Sequence, residues 1–257
     1  MKFFNTAGPV NPEDHYTLPP LSRLELDELL LLIQQKKYFV LHAPRQTGKT
    51  SLLLALMEYL NSGAEYQCLY VNIETAQTAR GNVEEGILEV AGAIAESASV
   101  YLGEERLYQW IQEEKEKRGG HGILSALLTR WCRENEKPIV LLLDEVDALV
   151  GDTLISLLRQ IRRGYNQQRP RAFPQTIMLC GVRDVKDYRM KQADGEVITG
   201  GSAFNIKAES LRLGNFTPKE IRLLYQQHTQ ETGQQFAPKI FAEVWQDTQG
   251  QPWLVNA

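Results

Sequence analysis

Cysteine is scarce in this chain. The three cysteines among 257 residues, Cys68, Cys132 and Cys180, are odd in number, far apart, and show neither a C-x-x-C pair nor a histidine at ligand spacing. That excludes a disulfide framework and a structural zinc site, and three buried, reduced thiols are the expectation. Net charge is low as well. Twenty-eight Lys and Arg against 32 Asp and Glu give −4, so no global field draws the chain to nucleic acid or to an anionic membrane, although a local patch could. Long apolar runs are also missing: MKFFNTAGPV turns polar at Asn5, too early for a signal segment, and Leu26–Ile33 is far shorter than a membrane span. A cytoplasmic protein without membrane contact is expected.

What is present is enough apolar sequence, 43%, to bury a substantial core in one large domain, or in one domain and part of another. Residues 1–20 carry four of the eleven prolines and read as an extended lead-in. Residues 21–35 have a helical stripe of Leu26, Leu29, Leu30 and Ile33. A strand at 38–42, a turn, a helix at 49–60 and a strand at 67–73 follow, then helical patterns at about 83–99, 104–117 and 122–134. Residues 139–143 are apolar without alternation, as in a central parallel strand. A helix at 152–163, a strand at 176–180, a polar loop around 191–202 and strand-like 204–213 complete an α/β alternation with about five parallel strands.

From Asn215 the pattern is helical only, and Thr217-Pro218-Lys219-Glu220 offers a cap, a proline at the first helical position and an acidic third residue. The last helix, opening at GQPWLVNA, is about a turn and a half long, so the expectation is a longer natural chain or a fragment. The expected division is a lead-in at 1–20, a core at 21–214 and a small, truncated helical lid at 215–257.

Two motifs carry chemistry. Ala43-Pro44-Arg45-Gln46-Thr47-Gly48-Lys49-Thr50 lies between a strand and a helix, with Gly48, Lys49 and Thr50 spaced as a phosphate loop requires. There the backbone N–H groups and helix dipole hold phosphate, the lysine adds a point charge, and the hydroxyl ligates Mg²⁺. Ala43 replaces the usual first glycine but sits at the strand end, where a methyl group fits; Gly48 is where close approach matters. Ninety-five residues beyond Lys49, the apolar strand ends in Asp144 and Glu145. Asp144 is the candidate Mg²⁺ carboxylate and Glu145 the candidate base for an attacking water.

APRQTGKT and IVLLLDEVD together resemble the Walker A and Walker B motifs of P-loop NTPases, in the branch with an added catalytic glutamate. Further features resemble AAA+-like and STAND-type ATPases, and nearly the whole chain is similar to the bacterial AAA-like domain group. LSRLELDELL is similar to that group's arginine-containing segment, with Arg23 near the adenine side. MLCGVRD is similar to the fourth strand, with Arg183 as the sensor facing the γ-phosphate, and LRLGNFTPKE to the fifth strand entering the lid. TQGQPWLV is similar to the GxP motif, with Gly250 and Pro252.

The resemblance implies a three-layer α/β/α P-loop NTPase fold with a mainly parallel five-stranded sheet and the start of a helical lid. It implies ATP with Mg²⁺ as ligands, with residues 43–51, Arg23 and Pro252 at the nucleotide and Thr50 and Asp144 at the metal. Lys49, Glu145 and Arg183 are then the catalytic candidates. No N/T-K-x-D-like guanine motif occurs. Asn72 and Glu74 read either as part of the water or Mg²⁺ shell or as an ordinary polar strand end.

Arg159, Arg162 and Arg163 share a helix face and, with Arg169 and Arg171, form the main basic concentration. An arginine finger from Arg162 or Arg163 to a neighbouring subunit, a DNA-facing patch and a solvated face all remain open, the last being the commonest outcome of such a run. The favoured reading is an ATP-driven switch acting through a partner protein or an output domain beyond Ala257, with oligomerisation open. A DNA-associated ATPase and a non-hydrolysing scaffold are the alternatives.

Overall fold

The computed structural model of the chain describes residues 1–118, 120, 122–166, 168, 172–184, 187, 189–191, 197–199 and 204–257. The strands are β1 (Phe3–Phe4), β2 (His15–Tyr16), β3 (Tyr38–His42), β4 (Gln67–Asn72), β5 (Ile139–Asp144), β6 (Thr176–Gly181), β7 (Arg189–Lys191), β8 (Val197–Thr199) and β9 (Lys207–Arg212). The α-helices are α1 (Leu26–Gln34), α2 (Lys49–Ser62), α3 (Val83–Leu102), α4 (Arg106–Arg118), α5 (Ile123–Glu134), α6 (Gly151–Asn166), α7 (Pro218–Thr232), α8 (Pro238–Thr248) and α9 (Pro252–Asn256). Contacts divide the chain into two units. One comprises Met1–Asp27, Ala43–Leu56 and Arg212–Ala257, the other Glu28–His42 and Met57–Leu211.

The larger unit is built on a five-stranded sheet of order β4-β5-β6-β3-β9, in which β4 pairs with β5, β5 with β6 and β6 with β3 in parallel. Every residue of β5 is buried, because helices cover both faces of a central parallel strand. The stripe Leu154, Leu157, Leu158 and Ile161 turns α6 onto this core, where it meets Ile87, Val90 and Ile94 of α3 and Leu127 and Trp131 of α5. Asn72 lies opposite Asp144, and His42 opposite Gly181, so β3, β4, β5 and β6 finish along one carboxyl edge. Chain order reverses between β6 and β3, the kind of switch point at which open α/β sheets bind ligands.

The smaller unit has its own core of Tyr16, Leu18, Phe216, Ile221, Leu224 and Val255, onto which Phe4, Tyr225, Phe241 and Trp245 pack. Helix α7 opens with a complete capping box: the Thr217 hydroxyl oxygen accepts the Glu220 N–H at 3.2 Å, and Glu220 Oε2 accepts the Thr217 N–H at 2.7 Å.

Several elements depart from the sequence reading. Proline at position 20 opens a 3₁₀ turn over Pro20–Arg23, so the helix expected from residue 21 starts at Leu26. The strand expected at 204–213 is confined to β9. The stretch read as a polar loop contains the antiparallel hairpin β7–β8. The lead-in is ordered by a short parallel ladder pairing Phe3 with His15 and Phe4 with Tyr16. All three cysteines are reduced thiols, with Cys68 and Cys180 buried and Cys132 half-buried.

Candidate functional site

Leaving β3, residues 43–48 turn back into the start of α2. Ala43 is fully buried, so its methyl group is accommodated in the position of the missing glycine. Gln46 and Gly48 adopt left-handed conformations, with φ of 60° and 87°, a backbone that turns amide groups toward a bound anion. The positive φ of Gly48 favours glycine, and a Cβ there would stand 2.8 Å from Arg23 Nη1, so a side chain would have to displace that guanidinium. Thr47 Oγ1 donates to the Pro44 carbonyl at 2.8 Å and pins the loop. Lys49 is buried, and its ammonium donates to the carbonyls of Ala43 and Pro44, both at 3.0 Å. Those carbonyls compete only weakly with a phosphate for that charge. Thr50 and Ser51 occupy the first turn of α2, and Ser51 Oγ accepts the Val10 N–H at 3.0 Å.

Beside the loop, within the same unit, lies a cavity of about 140 Å³. Gln46, Gly48 and Ser51 line it, together with Arg23, Phe216 and Pro252. Arg23 clasps this wall: its guanidinium donates to the carbonyls of Thr47 and Gly214 and lies 4.8 Å from the centre of the Phe216 ring. Burial lowers its pKa to about 10, which leaves it protonated at neutral pH. Pro252 is buried at the start of α9, and the preceding Gln251 reaches the loop, its Nε2 donating to the Arg45 and Gln46 carbonyls at 3.4 and 3.3 Å. Sequence reasoning passed over Gln251 at the loop and, in the cavity lining, Phe216 and the lead-in residues Thr6, Gly8 and Val10. The signals were faint: a glutamine inside GQP, and glycine and proline in a stretch that looked merely extended.

In the larger unit, Asp144 is fully buried at the end of β5. Its Oδ1 accepts the Glu145 N–H at 3.0 Å and its Oδ2 faces the Tyr70 hydroxyl at 3.3 Å. Burial, and then the Asp144 charge, raise the Tyr70 pKa well above its ordinary value. Glu145 is a non-glycine residue in the left-handed region, φ 58° and ψ 40°, the kind of backbone strain that collects at functional positions. Asp147, given no role from sequence, accepts the Val182 N–H at 3.0 Å and so ties the exit of β6, where exposed Arg183 follows, to the turn after β5. Asp184 is buried and accepts the Ser210 hydroxyl at 2.5 Å. Asn72 Oδ1 accepts the Glu74 N–H at 2.8 Å, and both side chains are exposed.

Arg163 stands in the last turn of α6, about 18 Å of helix from its start after β5, with Arg162 just before it. Arg163 lines a polar groove with Glu113, Lys117 and Arg130. Arg169 and Arg171 lie outside the described residues. Among the described residues no helix is long and apolar enough to cross a membrane, and no three His, Cys, Asp or Glu gather into a metal cage. Mg²⁺ needs no such cage, since one or two protein oxygens plus substrate phosphates suffice.

Comparison with solved structures places this architecture in a class. The Walker-type ATPase PABY2304 of Pyrococcus abyssi matches with a TM-score of 0.61 at 17% identity, over 98% of this chain and 69% of that one. Cdc6p from Pyrobaculum aerophilum gives 0.58 at 18%, covering 93% and 60%, and the Orc1 protein of Aeropyrum pernix, solved in complex with DNA, gives 0.52 at 17%, covering 93% and 58%. The chain thus spans about three fifths of the latter two. At such identities the likeness is one of fold: an α/β P-loop ATPase architecture on a mainly parallel five-stranded sheet. No curated protein matches the chain. The AAA-like domain model matches residues 21–257, and the chain belongs to that family.

Proposed function

We propose that this chain is an ATP-binding and ATP-hydrolysing module of AAA+/STAND type, working as a nucleotide-dependent switch in the cytoplasm. The observation that carries the proposal is the cavity on which Gln46, Gly48, Arg23, Phe216 and Pro252 converge. In this reading residues 21–214 form the ATPase core, 215–257 a helical lid, and 1–20 a lead-in. Backbone amides of residues 43–51 and the Lys49 ammonium bind the phosphates. The Thr50 hydroxyl and the Asp144 carboxylate hold Mg²⁺, which when bound neutralises charge on the phosphate oxygens. Glu145 removes a proton from the attacking water, and Arg183 stabilises charge on the γ-phosphate.

The switch follows from how the loop is tied. Arg23 and Gln251 hold the carbonyls of Arg45, Gln46 and Thr47 against Gly214 and α9. A change at the phosphates that moves these carbonyls therefore reaches the lid. The output passes to a partner protein or a further domain, and the module assembles into an oligomer if an arginine such as Arg162 or Arg163 acts on a neighbour.

Two substitutions test the assignment. Lys49→Ala is expected to abolish ATP binding in a calorimetric titration. Glu145→Gln is expected to retain binding and to lose turnover by a factor on the order of 10² or more. Hydrolysis by the Glu145 variant at the parent rate would show that the base is elsewhere.

A further inference from the structure

We propose that Asp147 is a positioning residue for Arg183: by holding the Val182 N–H, its carboxylate fixes the backbone from which the Arg183 side chain acts. The inference deepens the ATPase reading above and rests on it. Strand β6 pairs with β5 as far as Leu179 and with β3 as far as Gly181, so Val182 is the first residue beyond both ladders. A side chain receives its N–H: Asp147 Oδ1 accepts it at 3.0 Å, from a residue 35 positions earlier. Asp147 itself stands on a stiff support. It is the middle residue of the 3₁₀ turn Val146–Ala148, and Val146 and Ala148 on either side of it are buried. Two backbone bonds close that turn, Ala148 N–H to the Glu145 carbonyl at 2.9 Å and Leu149 N–H to the Val146 carbonyl at 3.2 Å.

The far side of Arg183 is tied as well. Asp184 is buried, its Oδ2 accepts the Ser210 hydroxyl of β9 at 2.5 Å, and its carbonyl accepts the Asp187 N–H at 2.9 Å. The chain is thus held immediately before and immediately after Arg183, while the Arg183 side chain is exposed. A long, rotamer-rich side chain delivers its charge to one phosphate oxygen only from a fixed base, and a displacement of about 1 Å costs rate far more than it costs ground-state binding. Glu145 stands two residues before Asp147. One hydrogen bond therefore joins the turn that carries the proposed base to the segment that carries the proposed cation.

The test is a double-mutant cycle of Asp147→Ala and Arg183→Ala, read as kcat for ATP hydrolysis and, by calorimetric titration, as Kd for ATP. Asp147→Ala is expected to lower kcat on the order of tenfold or more and to leave Kd within about twofold of the parent. Asp147→Asn keeps an acceptor oxygen in place and should recover most of that loss. In the Arg183→Ala background, Asp147→Ala should lower kcat by less than about twofold further, because the group it positions is gone. An aspartate that serves folding alone would lower kcat equally in both backgrounds, and that result overturns the proposal, as does parent-like kcat in Asp147→Ala. If Asp147→Ala fails to fold, Asp147→Glu, which displaces the acceptor by one methylene, takes its place in the cycle with the same expectations. Parent-like turnover by Arg183→Ala would overturn the role of Arg183 and the brace together. Failure of the parent to hydrolyse ATP would instead overturn the ATPase reading itself, and the brace with it.

Discussion

Gly250 shows what a single position in this site has to satisfy. Its φ is +71°, and a Cβ built on it would lie 1.9 Å from the Phe216 carbonyl oxygen, while its own carbonyl accepts the Phe216 N–H at 2.8 Å. The two strands of backbone touch, and no side chain fits between them. Gly250→Ala is therefore expected to cost about 2 kcal/mol or more, combining a left-handed alanine with a backbone clash. Gly8, at φ +70° with open space around its Cβ position, supplies the control: Gly8→Ala carries the conformational term alone, about 1 kcal/mol. Equal shifts in thermal midpoint for the two variants would refute the close-approach argument. In the sequence, Gly250 and Pro252 stand out only through resemblance, because the carbonyl that forbids a methyl group belongs to a residue 34 positions away. Arg23 is similar: its two carbonyl partners and the Phe216 ring suit a planar guanidinium and not an ammonium.

Among the elements, the lead-in is held to α7 by charge as well as by packing. Glu231 on α7 accepts the Tyr16 hydroxyl at 2.7 Å and the Lys2 N–H at 3.0 Å, and stands 3.6 Å from the N-terminal amine. His228 Nδ1 lies 3.2 Å from the same hydroxyl. The Tyr16 hydrogen bond is the main reason the Glu231 carboxyl titrates below its ordinary value. Because the folded pKa is depressed, this contribution is present above the ordinary carboxylate range and is lost as pH falls through the lowered value. Tyr16 behaves in the opposite sense. Burial first, and Glu231 second, push its pKa up to about 12, so its contribution is complete below pH 10 and is lost as pH rises through about 12. Protection of the Thr17 amide from hydrogen exchange is thus expected to fall on the acid side, and Glu231→Gln is expected to flatten that acid limb. An acid limb unchanged in the variant would mean that another group controls the docking.

None of this staple is legible in local pattern, since its bonds join residues more than 200 positions apart. By contrast, β5 is legible because five consecutive apolar residues have no other stable use than a strand buried on both faces. The capping box of α7 is legible because its partners are three residues apart. The hairpin β7–β8 escapes because its two strands, RMK and VIT, are three residues each, too short to show an alternating apolar pattern in the sequence.

At the scale of the molecule, the smaller unit is assembled from three distant segments, residues 1–27, 43–56 and 212–257. That discontinuity explains which parts of the candidate site the sequence discloses. Phosphate chemistry needs contiguous residues, so APRQTGKT and LLLDE announce themselves. The cavity wall needs only apolar atoms from whichever segments meet there, so Val10, Leu18 and Phe216 carry no signature. The match to the AAA-like domain starts at residue 21, yet Val10 N–H bonds Ser51 Oγ at the loop, and the Trp253 indole donates to the Thr6 carbonyl at 2.8 Å. If ATP occupies the cavity, the first 17 residues are part of its binding site. Deleting residues 1–17 removes those two bonds and takes Tyr16 out of the core of the smaller unit. The truncated chain is expected to bind ATP about tenfold more weakly or worse, a loss of roughly 1.4 kcal/mol, while the far-ultraviolet signal of the larger unit persists. A synthetic peptide of residues 1–18, added in trans, should recover part of the affinity, because the contacts it restores are non-covalent. Parent-like ATP affinity in the truncated chain would remove the lead-in from the site and confine nucleotide recognition to residues 21–257.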